Sequence, residues 1–379
     1  MSRTVDESRL DDAEALAETD PAAMLRATAA AGPQVRETVA LAAEAGLHRL
    51  SEDVRPRAVV VAGVGTAART GDVLAAVAGP RCPVPVVLHR STGIPGWVGA
   101  ADVVIAVSAS GRSPEALAAA DGAMHRGAGL VAIGAPDSEL QSMAERARAL
   151  FVPVPPRRPA RVSFWALVVP VLLAARALGM VQVTEADFAE TAIRLDKDAD
   201  RCRPTAETFT NEGKSLAVEL AGTIPVIWGT SRLATVAASR MVDQLAANAR
   251  YPAISGALVE AGRGRVGLLD GVFGRLAAGH EDFFADRVEA EPSTRLRLVL
   301  LRDDEDSPVD AARAEAVADL ARDRNVGVSV LTAQGGSQLE LFASLVAVPD
   351  FASVYLALLH GIDPVAVPAV SELKERITP

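Results

Sequence analysis

Hydrophobic residues in this chain occur as short unbroken runs, and each run is followed by a turn and then by a stretch with helical spacing. In the first half these runs lie at residues 58–62, 84–88, 103–107, 129–134 and 150–153. Unbroken runs rich in β-branched residues are typical of strands that are buried on both faces of a parallel sheet. Strands that alternate with helices of roughly 10 to 15 residues predict a doubly wound parallel sheet with helices on both faces.

The same order of elements returns in the second half of the chain. Strands are predicted at residues 223–229, 296–301 and 326–332, with helices from Ser231 to about Ala249 and from Val309 to Arg322. The sequence therefore predicts an α/β protein with two tandem domains. The full division is an N-terminal helical segment at 1–50, a first domain at 51–183, a charged helical linker at 184–215 and a second domain at 216–379.

The most hydrophobic stretch, residues 162–175, lies between Arg161 and Arg176 and contains Pro170. A bilayer requires about 20 apolar residues, so this stretch is too short to span one. We expect it to form a core helix or part of a dimer interface. The N-terminus is acidic and carries no apolar signal segment, so no membrane partner is expected.

Charge and cysteine content exclude several classes of function. The formal net charge is −10, and no run dense in Lys or Arg offers an electrostatic footprint for nucleic acid. The N-terminal helices also lack a basic recognition face, which disfavours a transcriptional regulator. Cys82 and Cys202 are far apart and fit neither a disulfide framework nor a zinc site, so we expect a cytoplasmic protein without metal or other cofactor.

The strand at 103–107 leads into a loop of hydroxyls, Ser108-Ala109-Ser110-Gly111-Arg112-Ser113, and Pro114 then begins a helix. Backbone amides at a helix N-terminus and the helix dipole both favour an anion, and serine hydroxyls add donors. The sequence therefore predicts a phosphate site at this phosphate loop, residues 108–113. The alternative is an ordinary serine-capped helix, which is common in proteins.

A second turn, containing Gly65 and Thr66, follows the strand at 58–62. It lacks the third glycine and the downstream carboxylate of a dinucleotide fingerprint, so we interpret it as a backbone that a ligand can approach closely. In the second half, the acidic loop at 302–306 would repel a phosphate. We therefore expect one phosphate site per chain.

The SASGRS loop resembles the Ser-x-Ser-Gly-x-Ser/Thr signature of sugar isomerase (SIS) domains. The wider pattern is similar to the bacterial and archaeal bifunctional phosphoglucose/phosphomannose isomerase family, which has two such domains. The segments that agree in order are residues 63–74, 93–117, 225–253 and 355–377. The resemblance covers nearly the whole chain and implies two tandem SIS-type, flavodoxin-like or Rossmann-like domains in a homodimer.

In that family the loop hydroxyls hold the 6-phosphate of a sugar, a role that the resemblance gives here to Ser108, Ser110 and Ser113, around Gly111. The family's Gly-Ser turn matches Gly65, Thr66 and Ala67. Its serine is absent, and Thr66 is the available substitute. A family lysine associated with ring opening matches Lys374, whose alternative is an exposed cation in a terminal helix.

Two catalytic groups of the family are missing. The family's base lies in an Asn-Glu-Asn-Ala stretch that matches residues 246–249, where Ala247 replaces the glutamate. Its Glu-x-x-His segment matches residues 260–263, where Arg263 replaces the histidine. An arginine stays charged and cannot exchange a proton near neutral pH.

Two hypotheses follow. The first is an aldose–ketose isomerase with a rearranged site, in which Glu260 is the base and His360 or Lys374 assists ring opening. The alternatives for these residues are a solvated loop charge at Glu260 and, favoured at His360, a helix C-terminal residue stabilised by the dipole. The second hypothesis is a protein that binds a sugar phosphate without converting it.

Overall fold

The computed structural model describes residues 7–52, 55–278, 294–303 and 307–377. Within these residues the strands are β1 Val59–Ala62, β2 Val86–His89, β3 Val103–Ser108, β4 Gly129–Gly134, β5 Leu150–Pro153, β6 Thr223–Gly229, β7 Ile254–Ala257, β8 Arg295–Arg302 and β9 Gly327–Thr332. They form two sheets, with strand orders β2-β1-β3-β4-β5 and β7-β6-β8-β9. Every neighbouring pair is parallel. The predicted α/β class with two parallel sheets is confirmed.

Helices connect the strands and cover both faces of each sheet. In chain order the α-helices are α1 Ala13–Thr19, α2 Met24–Ala29, α3 Ala31–Glu44, α4 Thr66–Ala78, α5 Pro114–His125, α6 Glu139–Ala147, α7 Phe164–Ala177, α8 Glu185–Arg201, α9 Glu212–Leu220, α10 Arg232–Gln244, α11 Leu258–Ala261, α12 Pro308–Arg322, α13 Gln338–Leu359 and α14 Pro368–Ile377. A π-helical turn, Leu245–Ala249, follows α10 directly.

The chain divides into two compact units, each built around one sheet. The described residues of Ala29–Asp196 and Ser337–Glu340 form the first-sheet unit, which contains β1 to β5. Those of Met1–Thr28, Lys197–Gly336 and Leu341–Pro379 form the second-sheet unit, which contains β6 to β9. The division of the sequence at residues 50, 183 and 215 stays a prediction.

In the first sheet the chain changes direction between β1 and β3. It leaves β1 through α4 toward β2 and leaves β3 through α5 toward β4, so right-handed crossovers place these two helices on opposite faces. A Cβ atom added to Gly71 of α4 would lie 2.7 Å from Leu88 Cδ2, on one face. Alanines of α5 pack with Val60 and Ala62 on the other. The carboxyl ends of β1 and β3 are therefore a topological switch point, where ligands bind in open α/β sheets.

The apolar stretch at residues 162–175 forms most of α7. This helix packs against α3, α4 and β4, and its side chains, among them Trp165 and Val169, are buried within the first-sheet unit. A core helix was one of the two expectations for this stretch. The other, that it packs in a dimer interface, is wrong, because its apolar surface is already covered inside one protomer.

Helix α13 and strand β7 were not predicted. By length and composition, α13 is apolar enough to span a membrane, but 89% of its apolar 18-residue window is buried inside the protein, as in a core helix. Its apolar residues surround the helix, so the sequence shows no one-sided 3.6-residue pattern. Strand β7 contains Gly256 and is only four residues long, which leaves no clear period of two.

A buried lysine fixes the loop between α8 and α9. The side chain of Lys214 is 1% exposed, and its Nζ donates to Pro204 O at 2.8 Å, to Ala206 O at 2.7 Å and to Asp11 Oδ1 at 3.4 Å. The ring centroid of Tyr355 lies 5.7 Å from the same Nζ. Burial lowers the pKa of Lys214, and these acceptors compensate for the loss of water around its charge.

We predict that Lys214→Met lowers the free energy of unfolding by about 2–4 kcal/mol, because buried acceptors lose their charged donor. Urea denaturation of the full chain measures this difference. Lys197→Met is the matched control, since Lys197 is exposed and its replacement should change the free energy by less than about 0.5 kcal/mol. Equal midpoints for Lys214→Met and the unsubstituted protein would contradict a stabilising role of the lysine.

Candidate functional site

The hydroxyls of the phosphate loop converge at the carboxyl end of β3. Ser108 is the last residue of β3, and its Oγ lies 3.5 Å from Ser110 Oγ and accepts the backbone N–H of Ser113 at 3.3 Å. Ser110 Oγ accepts the N–H of Arg112 at 3.2 Å. The loop thus folds back on itself just before α5 begins, with Ser108 buried and Ser110 exposed.

Ser113 stands at the N-cap position of α5 but does not cap it. Its side chain makes no capping hydrogen bond in the described part of the chain. Elsewhere the cap residues that accept a backbone N–H from the first turn include Asp12, Ser138, Asn211, Ser231 and Ser307. The ordinary serine-capped helix is therefore not what the structure shows, and the amides at the start of α5 keep their capacity to bind an anion.

The turn between β4 and α6 supports the phosphate loop from behind. Gly111 has a φ of +65°, and a Cβ atom there would lie 2.1 Å from Ser138 Oγ, so only glycine fits. Leu140 N donates to Gly111 O at 3.0 Å. The sequence analysis missed Ser138, although a serine directly before a helix is the usual signal of an N-cap.

The glycine turn lies beside the phosphate loop at the same edge of the sheet. Strand β1 pairs with β3 in parallel, and a Cβ atom on Gly63 would lie 2.8 Å from Val107 O. Gly65 has a φ of +59°, and no atom lies within 4 Å of the position of its Cβ. Thr66 is the first residue of α4. The structure therefore brings Gly65 and Thr66 to the edge that carries the phosphate loop, and leaves space above them.

The corresponding turn of the second-sheet unit uses its hydroxyls internally. Ser231 Oγ accepts Ala234 N at 3.1 Å and caps α10, and Thr230 Oγ1 accepts Asp303 N at 3.0 Å. The remainder of the predicted acidic loop, residues 304–306, lies outside the described residues. The expectation of one phosphate site per chain stays a prediction.

The nominated catalytic residues lie in the second-sheet unit. Glu260 is exposed on α11, and among the described residues it makes no side-chain hydrogen bond or ion pair. His360 directly follows α13, and its ring stacks on Tyr251 with 5.8 Å between centroids, which suits a residue at the end of a helix. The backbone of Lys374 lies in α14, and its side chain is outside the described part of the structure.

The positions that match the family's base and histidine carry neither a carboxylate nor an imidazole. Ala247 lies half-buried in the π-helical turn, a feature often found at functional sites, and Arg263 is exposed just after α11. The neighbouring Asn248 is buried, and its Nδ2 donates to Ser353 Oγ at 2.9 Å. The turn thus presents a methyl group where proton transfer would require a carboxylate.

The described residues contain no cluster of three or more His, Cys, Asp or Glu side chains that could hold a metal ion. The candidate site is therefore described by its hydroxyls, amides and charged side chains alone. That Glu260, His360 and Lys374 act on a ligand stays a prediction.

Comparison with known proteins gives the family context. Residues 209–377 match the family described as the bacterial phospho-glucose isomerase C-terminal SIS domain. A bifunctional phosphoglucose/phosphomannose isomerase from Caldicellulosiruptor bescii is 26% identical over 344 residues, which cover 91% of this chain and 96% of the relative.

Two solved structures show the same fold. A hypothetical protein from Thermus thermophilus is 15% identical with a TM-score of 0.68, and the match covers 98% of this chain and 95% of the other. The C-terminal domain of glucosamine-fructose-6-phosphate aminotransferase from Francisella tularensis is 12% identical with a TM-score of 0.64, over 90% and 97% of the two chains. Residues 209–377 thus match an SIS domain, and the chain as a whole is similar to the bifunctional phosphoglucose/phosphomannose isomerases.

Proposed function

We propose that this chain is a sugar-phosphate isomerase of carbohydrate metabolism that interconverts glucose 6-phosphate or mannose 6-phosphate with fructose 6-phosphate. The observation that carries the proposal is the uncapped N-terminus of α5, where the Ser113 hydroxyl and the backbone N–H groups that follow Pro114 are available to an anion. The relative from Caldicellulosiruptor bescii, whose name states both activities, supports the same class of substrate.

Isomerisation moves a proton between C1 and C2, so the reaction requires a base near these carbons and an acid that helps to open the sugar ring. Because Ala247 cannot serve, Glu260 is our nominated base. Its exposure and lack of described partners leave its carboxylate available to a ligand. Lys374 remains the nominated helper in ring opening, whereas the stacking of His360 on Tyr251 favours a packing role for the histidine.

The second candidate function is binding of a sugar phosphate without conversion. The specific observation that favours it is the pair of substitutions at Ala247 and Arg263, which removes a carboxylate and an imidazole while the phosphate loop persists. The two candidates share the phosphate site and differ only in turnover.

The location and assembly belong to the same proposal. Cys82 and Cys202 are both free, as expected in a reducing cytoplasm, and burial raises the pKa of the Cys202 thiol to about 12. We further propose that the protein is a homodimer that binds neither nucleic acid nor membrane.

Purified protein should interconvert an aldose 6-phosphate and fructose 6-phosphate in a coupled assay with glucose 6-phosphate, mannose 6-phosphate and fructose 6-phosphate. Glu260→Gln should lower kcat by at least about 100-fold, the usual contribution of a general base. Binding of a sugar phosphate without turnover would overturn the isomerase and establish the second candidate. Absence of binding by calorimetry would contradict both.

Ser113→Ala should lower the affinity for inorganic phosphate about 5- to 10-fold, because one hydrogen bond to the anion is lost. Its free energy of unfolding should change by less than about 0.5 kcal/mol, since Ser113 caps nothing. The matched control is Ser231→Ala, which removes a true cap and should cost about 1 kcal/mol without affecting phosphate affinity. Calorimetry and urea denaturation measure the two quantities. A destabilised Ser113→Ala protein with unchanged affinity would mean that Ser113 is an ordinary cap.

Size-exclusion chromatography with light scattering should give a mass of twice the 39.3 kDa chain. A monomer over the accessible concentration range would contradict the proposed homodimer.

A further inference from the structure

A histidine without a predicted role lies at the carboxyl end of β2, the strand next to β1 at the switch point of the first sheet. His89 is the last residue of β2 and is half-buried. Its carbonyl oxygen accepts the N–H of Gly63 at 3.1 Å, which joins the end of β2 to the start of the glycine turn. The imidazole is therefore attached to the edge of the sheet that carries the phosphate loop.

The alternation of side chains places His89 and Ser108 on the same face of the sheet. Ala62 pairs with His89 on one side and with Ala106 on the other. Ala62 and Ala106 both face α5, so His89 points to that face as well. Ser108 lies two residues beyond Ala106 in β3 and shares the same face.

The space between the two side chains is lined by backbone. Neighbouring strands are about 4.8 Å apart, so β2 and β3 are separated by about 10 Å with β1 between them. Strand β1 ends there in the glycine turn, and nothing lies within 4 Å of the Cβ position of Gly65. A molecule with its phosphate at Ser108 can therefore extend across the glycine turn toward His89.

An ion-pair cluster holds the end of β2 in place. Arg90 Nη2 lies 2.6 Å from each carboxylate oxygen of Asp72 on α4, and Arg69 Nη1 lies 3.0 Å from Asp72 Oδ2. The Asp72 side chain is only 12% exposed. Ser91 Oγ lies 3.3 Å from His89 Nε2 and so orients the ring. These contacts fix both the backbone and one ring nitrogen of His89.

The chemistry that the chain lacks at Arg263 is that of an imidazole, the side chain that most readily exchanges a proton near neutral pH. We propose that His89 is the acid that opens the ring of a bound aldose 6-phosphate whose phosphate is held by Ser108, Ser110 and Ser113. This assignment rests on the proposed sugar-phosphate substrate, and it gives the role of ring-opening acid to His89 in place of Lys374. It places ring opening in the same unit as the phosphate loop.

In the proposed step the bond between C1 and the ring oxygen breaks. The His89 imidazolium gives its proton to the ring oxygen, which becomes a hydroxyl. The C1 hydroxyl loses its proton to water and becomes the aldehyde, and the imidazole then regains a proton from solvent. Ring opening followed by closure exchanges the α and β anomers, so the step can be observed without any conversion of aldose to ketose.

The test measures anomer exchange of glucose 6-phosphate by NMR with the full chain, relative to the rate without protein. His89→Gln should reduce the catalysed rate by at least about 100-fold, the usual contribution of a general acid. Its affinity for inorganic phosphate should stay within about twofold, which shows that the phosphate loop is intact. The matched control is His125→Gln, since His125 is exposed in the last turn of α5, at the opposite edge of the sheet.

Full anomer exchange in His89→Gln, or equal losses in His89→Gln and His125→Gln, would overturn the assignment. A wild-type chain that does not accelerate anomer exchange would also overturn it, even if the chain binds sugar phosphates. Accelerated exchange that depends on His89, without interconversion of aldose and ketose, would support the assignment and overturn the isomerase.

Discussion

The parallel pairing of β1 with β3 is the constraint on which the first-sheet unit depends. The chain runs toward β2 after β1 and toward β4 after β3. The loops that follow β1 and β3 therefore diverge at the carboxyl end of the sheet and leave space between them. Gly63 makes this pairing tight because it approaches the carbonyl of Val107, and Gly111 in turn lets the loop after β3 approach Ser138 in the turn after β4. The same arrangement of strands therefore packs the sheet and leaves the space between the two loops.

The two units show how similar turns can have different consequences. In both, a strand ends in hydroxyl-bearing residues and a helix follows. Ser231 turns its hydroxyl inward to cap α10, whereas Ser113 leaves α5 uncapped. An uncapped helix start retains donors that water or an anion must satisfy. The two loops also differ in length, since two residues separate β6 from α10 and five separate β3 from α5, so similar folds need not imply similar sites.

Much of this architecture could be predicted from the sequence because buried parallel strands leave unbroken apolar runs. The strands at 58–62 and 103–107 are of this kind, and the loop from Ser108 to Ser113 could be predicted because it follows the second of them. Elements without a one-sided pattern of hydrophobic residues could not be predicted, as α13 and β7 show. The contact between Gly111 and Ser138 could not be predicted either, because it joins two loops that are neighbours only through the order of the strands. Spacing along the sequence predicted which residues form each loop, but not which face of the sheet their side chains share.

The π-helical turn at Leu245–Ala249 is stabilised by packing, although its Ala247 carries no group for catalysis. A turn of this kind is frequent at functional sites. Here Asn248 and Ser353 still make their buried hydrogen bond, while Ala247 has no group that could move a proton. Packing therefore stabilises the turn whether or not the turn takes part in catalysis. Any proton transfer at the sugar must then use groups outside this turn, and His89, at the same end of the first sheet as the phosphate loop, is the side chain that we assign to ring opening.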